Sequence, residues 1–201
     1  MAYASWVEPN KTSGNGNDTV SWTGSAHTGR SSRQTTATFS ASGVDSKTLT
    51  IIQAGKTEFV NIDATASITK TGGTVTISGT SNSSKLTFSL TGTNGIGLTL
   101  PSTYTANSVS TNNGTAITGD PGASQQYAFS ITFTGIEENT TIASLTSQLT
   151  VTDNNSHTAT CDITQAAGDP YLTISPTTIN LTAAGTAVNV SVSSNTSWSI
   201  S

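Results

Sequence analysis

The chain has 201 residues, a mass of 20.4 kDa, a net charge of −4 and a pI near 4.8, and only 9% of its residues are charged. Seven Lys and Arg offer little attraction for a phosphate backbone, so nucleic acid is not an expected partner. No apolar run approaches the ~18 residues of a membrane-spanning helix, so a membrane is not expected either.

Thr and Ser are abundant, but the apolar residues alternate with them in short bursts. That pattern suits half-buried strands better than disorder. The start, MAYASWVEPN, has neither a basic head nor an apolar stretch. The chain is therefore expected to stay in the cytoplasm where it is made, unless an assembly or lysis carries it out.

Residues 1–55 read as the closing part of a small β domain. They hold Trp6, the Pro9-to-Gly14 turn, Trp22 in the run TVSWTG, and a strand after Arg33. They end in a final strand, SKTLTIIQAG. A short linker, KTE at 56–58, opens residues 56–168, which read as one complete unit. There Val75 and Ile77 alternate with Thr, and Leu86, Phe88 and Leu90 with Thr and Ser. Tyr127, Phe129, Ile131 and Phe133 alternate with Ala, Ser and Thr. Turns are marked by KTGG from Lys70, TGTNG from Thr91, TNNG from Thr111, GDPG from Gly119 and DNN from Asp153. A longer insertion lies between about 91 and 124. Cys161, in TATCDITQ, is expected as a buried small hydrophobe, and being alone it forms no internal disulfide.

At the linker GDP, 168–170, begin residues 169–201, which read as the opening part of another such domain. Val188, Val190 and Val192 alternate with Asn and Ser, and Trp198 and Ile200 follow. The boundary itself is duplicated. SKTLTIIQAGKTEFVNI at 46–62 matches SHTATCDITQAAGDPYLTI at 156–174, with Gln53 aligned on Gln165, 112 positions away. The same offset puts Leu86 on Trp198 and Phe88 on Ile200, a period that signals an array of similar domains. The expected fold is all-β: antiparallel sandwiches of the immunoglobulin-like kind, with about seven strands in the complete unit and complementary half domains at the two termini.

The order YLTISPTTINL, AAG, VNVSVSSNTSWSIS, ASWVEPNKTSGNGN and RQTTATFSASGVDSKTLTIIQAG resembles the BACON domain, an immunoglobulin-like sandwich common in Bacteroidetes and their phages. The features that carry the resemblance are Trp198, Trp6, the Pro9-to-Gly14 turn, the strand after Arg33 and the closing Gln53. They cover the two terminal segments, in permuted order. The middle repeat matches more loosely, with Leu86 where the first Trp belongs. The resemblance implies core positions for Trp6 and Trp198. It also implies two roles: a component of crAss-like or similar phage virions, or binding of carbohydrate or mucin.

Candidate chemistry is sparse. His27, Arg30 and Arg33 form the one basic cluster, readable as an anion site but better as a polar connection between strands. Asp18, Asp120, Asp153 and Asp162 show no calcium-loop spacing and are expected to cap turns. Adjacent Glu137 and Glu138 would point to opposite faces of a strand and are expected in an exposed loop. No metal spacing, cofactor motif or catalytic motif is present, so no metal, no cofactor and no enzyme are expected.

Function is therefore expected from assembly. Trp6, Val188, Val190, Val192, Trp198 and Ile200 are the residues expected to complete the half domains. The termini can meet between subunits, meet within one chain, or belong to a longer array. Completion by full-length subunits is favoured over truncation, and the short linkers favour exchange between subunits. The main expectation is a virion structural protein that partners itself or other virion proteins, as a capsid decoration, head fibre or tail-attached component. The alternative is a carbohydrate- or mucin-binding module that uses Trp22, Tyr3 and Tyr104. A bacterial cell-surface filament is a third, weaker reading.

Overall fold

The computed structural model describes residues 3–201, and for 93 and 94 the backbone alone. The first two residues of the N-terminal segment lie outside the described residues. The chain is all-β, built from several sheets.

The centre is a two-layer sandwich. One sheet has the order β10-β9-β11-β7-β5, from Val109–Asn112, Thr103–Ala106, Tyr127–Ile136, Gly73–Ser81 and Val60–Ile62. The other has the order β6-β13-β12-β8, from Thr65–Ile68, Thr158–Gln165, Leu145–Asp153 and Leu86–Asn94. The expected alternation holds here: Tyr127, Phe129, Ile131 and Phe133 are all buried on one face of β11. They meet Leu86 and Phe88 of β8, Leu149 and Val151 of β12, and Cys161 and Ile163 of β13 in a single core. The ring of Phe88 packs on those of Phe129 and Tyr104, at 5.7 and 4.8 Å between centroids. Such pairs bring specific geometry as well as buried area.

Three features of this sandwich differ from the sequence reading. The two sheets hold nine strands rather than about seven. The extra pair, β9–β10, comes from the 91–124 insertion. One strand pair is parallel, β13 with β6, with Ile163 opposite Ala66 and Gln165 opposite Ile68. The β11–β7 ladder also shifts register between Phe133 and Ile136, where Gly135 has φ of 68°. A left-handed residue in a bulge favours glycine, which has no Cβ to strain.

Two small units flank the sandwich. The N-terminal one holds β1 (Val7–Pro9) paired with β2 (Trp22–Gly24), and β3 (Arg33–Phe39) paired with β4 (Lys47–Gln53). The C-terminal one holds β14 (Leu172–Ser175) paired with β15 (Ser191–Ser194). Val188 and Val190 lie outside any strand, where continuous alternation had predicted one. Their stretch has no neighbouring strand to hydrogen-bond, and an unpaired extended segment is not a stable strand.

Candidate assembly faces

The terminal units reproduce pieces of the central sandwich. In β3–β4, Arg33 pairs with Gln53 and Phe39 with Lys47. In β12–β13, Leu145 pairs with Gln165 and Val151 with Ala159. Moving every number by 112 converts one ladder into the other, rung for rung. The β14–β15 pair likewise repeats β5–β7. Ile174 opposite Val192 stands for Ile62 opposite Gly79, with one extra residue carried by the C-terminal copy before β15.

The local hydrogen bonds repeat as well. In the centre, Ser81 Oγ donates to Phe59 O at 2.6 Å, and Asn82 Oδ1 accepts from Phe59 N at 2.9 Å. In the C-terminal unit, Ser194 Oγ donates to Tyr171 O at 2.8 Å, and Asn195 Oδ1 accepts from Tyr171 N at 3.0 Å. A Ser-Asn pair thus ties the start of the first strand to the end of its neighbour in both copies. The sequence reading missed it. Its signal was the dipeptide Ser81-Asn82 recurring as Ser194-Asn195.

Burial is what separates the copies. Leu149, Val151, Cys161 and Ile163 are fully buried in the centre. At the matching positions Ala37 is buried and Ile51 half-buried, while Phe39 is 45% and Leu49 38% exposed. Val188 and Val190 match buried Val75 and Ile77, yet both are exposed. The step from Asn195 to Trp198 is one residue shorter than that from Asn82 to Leu86, which restores the spacing of 112, and Trp198 is 50% and Ile200 87% exposed, where their counterparts Leu86 and Phe88 are core residues. Trp198 was expected in a core, so its exposure corrects that reading: no opposing sheet covers it. Trp6 is half-buried under the Arg33 guanidinium, 4.5 Å from the ring centroid, and Val192 is half-buried on β15. Among the described residues, the exposed large apolar side chains lie mostly on these two units.

Between the β1–β2 and β3–β4 hairpins lies an open groove of about 570 Å³, lined by Tyr3, Trp22, Ala37, Phe39, Ala41 and Val44 among others. Ala37 and Phe39 are the β3 residues that match Leu149 and Val151. The groove thus joins positions that are core in the centre to a polar rim that includes Lys11, Asp18, Asp45 and Lys47.

The two faces lie at opposite poles of the sandwich. The N-terminal unit docks where β7 ends and β11 begins. There Arg30 Nη1 and Nη2 donate to Asp120 at 2.7 and 2.9 Å, and Nη2 also donates to Asn82 O at 2.6 Å. Arg30 Nε lies 2.6 Å from Glu58 Oε1, and Glu58 is buried. The C-terminal unit docks where β7 begins and β11 ends. There Asn195 Nδ2 donates to Thr140 O and Asp169 O at 3.0 and 2.9 Å, and Lys70 pairs with Asp169. β7 runs nine residues between the poles, about 27 Å at ~3.3 Å per residue. No strand of one terminal unit pairs with a strand of the other among the described residues.

The basic cluster is thus committed to structure. Arg30 clamps the N-terminal unit to the centre, and hydrogen bonding to Asp120 raises its already high pKa despite partial burial. Burial alone would raise the Asp120 carboxyl, but the Arg30 hydrogen bond, the Gly122 amide and the Arg30 charge bring it below its ordinary value. Arg33 is held by Gln53 and Ser25, and His27 by Ser31 O.

The acids behave as turn and strand groups. Asp18, Asp120 and Asp153 each accept from nearby backbone amides, whereas Asp162 lies within β13 and accepts from Gln148, so it does not cap a turn. Glu137 and Glu138 are exposed between strands. No group of three metal-ligating side chains occurs among the described residues. Burial pushes the Cys161 thiol up to about 11, away from reactivity.

Of the candidate glycan contacts, Tyr104 is only 3% exposed and packs on Phe88, so its ring has no face to offer; burial raises its hydroxyl to about 12. Its position in a strand of the central sandwich decides this. Tyr3 and Trp22 are half-buried and meet edge to face at 5.2 Å inside the open groove.

Comparison of the chain with family models and with curated proteins returned no match.

Proposed function

We propose that the protein is a non-enzymatic structural component that works by assembly, its two incomplete terminal units being completed when they are brought together. The observation that carries this reading is the exposure of Phe39, Leu49, Val188, Val190, Trp198 and Ile200 at positions whose repeat counterparts are buried. An apolar half core in water favours any contact that removes it from solvent, at roughly 25 cal/mol per Å² of apolar surface. Open sheet edges beside it add unpaired backbone groups that a further strand would satisfy.

The resemblance to BACON domains supports reading such a component as part of a phage virion, as a capsid decoration, head fibre or tail-attached protein, with itself or other virion proteins as partners. An immunoglobulin-like description of the central sandwich belongs to the same proposal.

The test is the mass of the purified protein by light scattering across a dilution series. Particles heavier than one 20.4 kDa chain that persist on dilution support the reading. A single-chain mass at every concentration contradicts it.

One observation favours a second reading, carbohydrate or mucin binding: the Tyr3–Trp22 pair lining the groove. A glycan array would support it if binding were lost in Trp22→Ala while folding was retained. The same groove cannot hold both a sugar and a completing strand, so glycan binding should fall as assembly rises.

A further inference from the structure

We infer that the occupant of each open face is a second copy of this chain, joined head to tail in a register that the central sandwich itself specifies. The inference rests on the assembly reading and adds the partner, the polarity and the residue pairing.

The partner follows from the layout. The N-terminal unit supplies counterparts of β12 and β13, and the C-terminal unit supplies counterparts of β5, β7 and the start of β8. Together they make most of a second sandwich. They cannot meet within one chain as it is folded, because they are fixed at opposite poles about 27 Å apart, by the rise of ~3.3 Å per residue along β7. Both anchors are short. Lys56 N donates to Gly29 O at 2.8 Å on one side, and Gly168 N donates to Thr141 O at 2.7 Å on the other. A Cβ at Gly168 would sit 2.3 Å from Asn139 O, and one at Gly55 would sit 1.9 Å from Arg30 O. These linkers are packed against their poles and leave no slack for folding back.

The register follows from the centre. Phe88 pairs with Val151 and Leu86 with Asp153, so Ile200 of one copy is placed opposite Phe39 of the next, and Trp198 opposite Ala41. Phe39 and Ala41 match Val151 and Asp153, which are both buried in the centre, so the exposed apolar side chains of Ile200 and Trp198 enter the half core on the face of β3 that carries Phe39. Ile163 lies beside Ala66 in the parallel pair. Its counterpart places Ile179 of the incoming copy beside Ile51 on the open edge of β4, with Leu181 next to Gln53. Ile179 and Leu181 are both exposed in the single chain.

Such a contact uses different surfaces on its two sides. Repetition therefore gives a ring or a polar filament, and not a two-fold dimer. The buried area belongs to the obligate class, on the order of 2,000 Å² or more per junction.

Thr87 pairs with Thr152 on the outer face of the central sheet, which places Ser199 opposite Ser40 across the junction. Paired strand residues have Cα atoms about 4.5–5.5 Å apart, within disulfide range. A chain carrying Ser40→Cys mixed with one carrying Ser199→Cys should give a two-chain, one-of-each product on mild oxidation. Each variant alone should stay uncross-linked, since Cys161 is fully buried. The doubly substituted chain should give a ladder of multimers. Internal closure of that doubly substituted chain would overturn the inference in favour of completion within one subunit. Particles that are assembled by light scattering yet never cross-link would overturn the inference alone. A single-chain mass would overturn the assembly reading with it.

Discussion

Phe39 on β3 stands where Val151 stands on β12: same face, same ladder rung, 112 residues apart. Val151 is completely buried, and Phe39 is 45% exposed. The chemistry of the position is equal or more apolar in the terminal copy, so composition does not explain the difference. What differs is the opposing sheet, present over Val151 and missing over Phe39. The same contrast separates Leu86 from Trp198, and Ile77 from Val190.

The Ser-Asn clamp should be worth more in the centre than at the pole. Asn82 Nδ2 donates to Thr57 O and Ala123 O at 3.0 and 2.9 Å, and the residue is buried. Asn82→Ala strands three backbone groups and should cost about 3 kcal/mol of stability. Asn195→Ala, with its partners exposed, should cost about 1 kcal/mol. Denaturant unfolding of the two variants measures the ordering.

Arg30 should govern whether the N-terminal unit stays docked. Arg30→Ala leaves the buried Glu58 carboxylate without its cation, a change costing about 3 kcal/mol. The central sandwich does not depend on this contact for its core, so its own exchange protection should persist. Faster amide exchange and proteolysis confined to residues 3–57 would be the signature. Uniform loss of protection across all strands would contradict it.

Docking should also weaken in acid. The Asp120 carboxyl is lowered in the folded protein, so its contribution is fully present above the ordinary Asp value of 3.8. It is lost as pH falls below that value, through the lowered one. Asp120→Asn should flatten this part of the pH dependence. Proteolytic sensitivity of the 55–58 linker against pH, in the two proteins, measures it.

Much of the central fold was legible because its strands alternate over long stretches, as from Tyr127 to Phe133. The pair β9–β10 was hidden. Its two-residue turn, Asn107-Ser108, has φ of 47° and 64°, and Ser in place of the usual Gly masks the hairpin signal. The parallel pairing of β6 with β13 left no trace in either strand's pattern, since alternation reports a face and not a neighbour. The repeat was legible in Gln53 and Gln165, but the exposure of Trp198 was not. Apolar periodicity states which side chains want a core, and it does not state whether the same chain supplies the other half. Tyr104 shows the converse: an aromatic in a polar insertion read as surface, yet its strand joins the central sandwich.

The most direct test of head-to-tail completion is the mass of a mixture. Phe39→Asp places a carboxylate in one face and Ile200→Asp places one in the other, and burying an unpaired carboxylate costs several kcal/mol, roughly a hundredfold or more in affinity. Each variant alone should scatter as one 20.4 kDa chain. Their equimolar mixture retains one intact pair of faces, so it should reach twice that mass and stop there, while the unsubstituted protein grows further. A mixture that remains single chains, under conditions in which the unsubstituted protein assembles, would contradict completion by these faces.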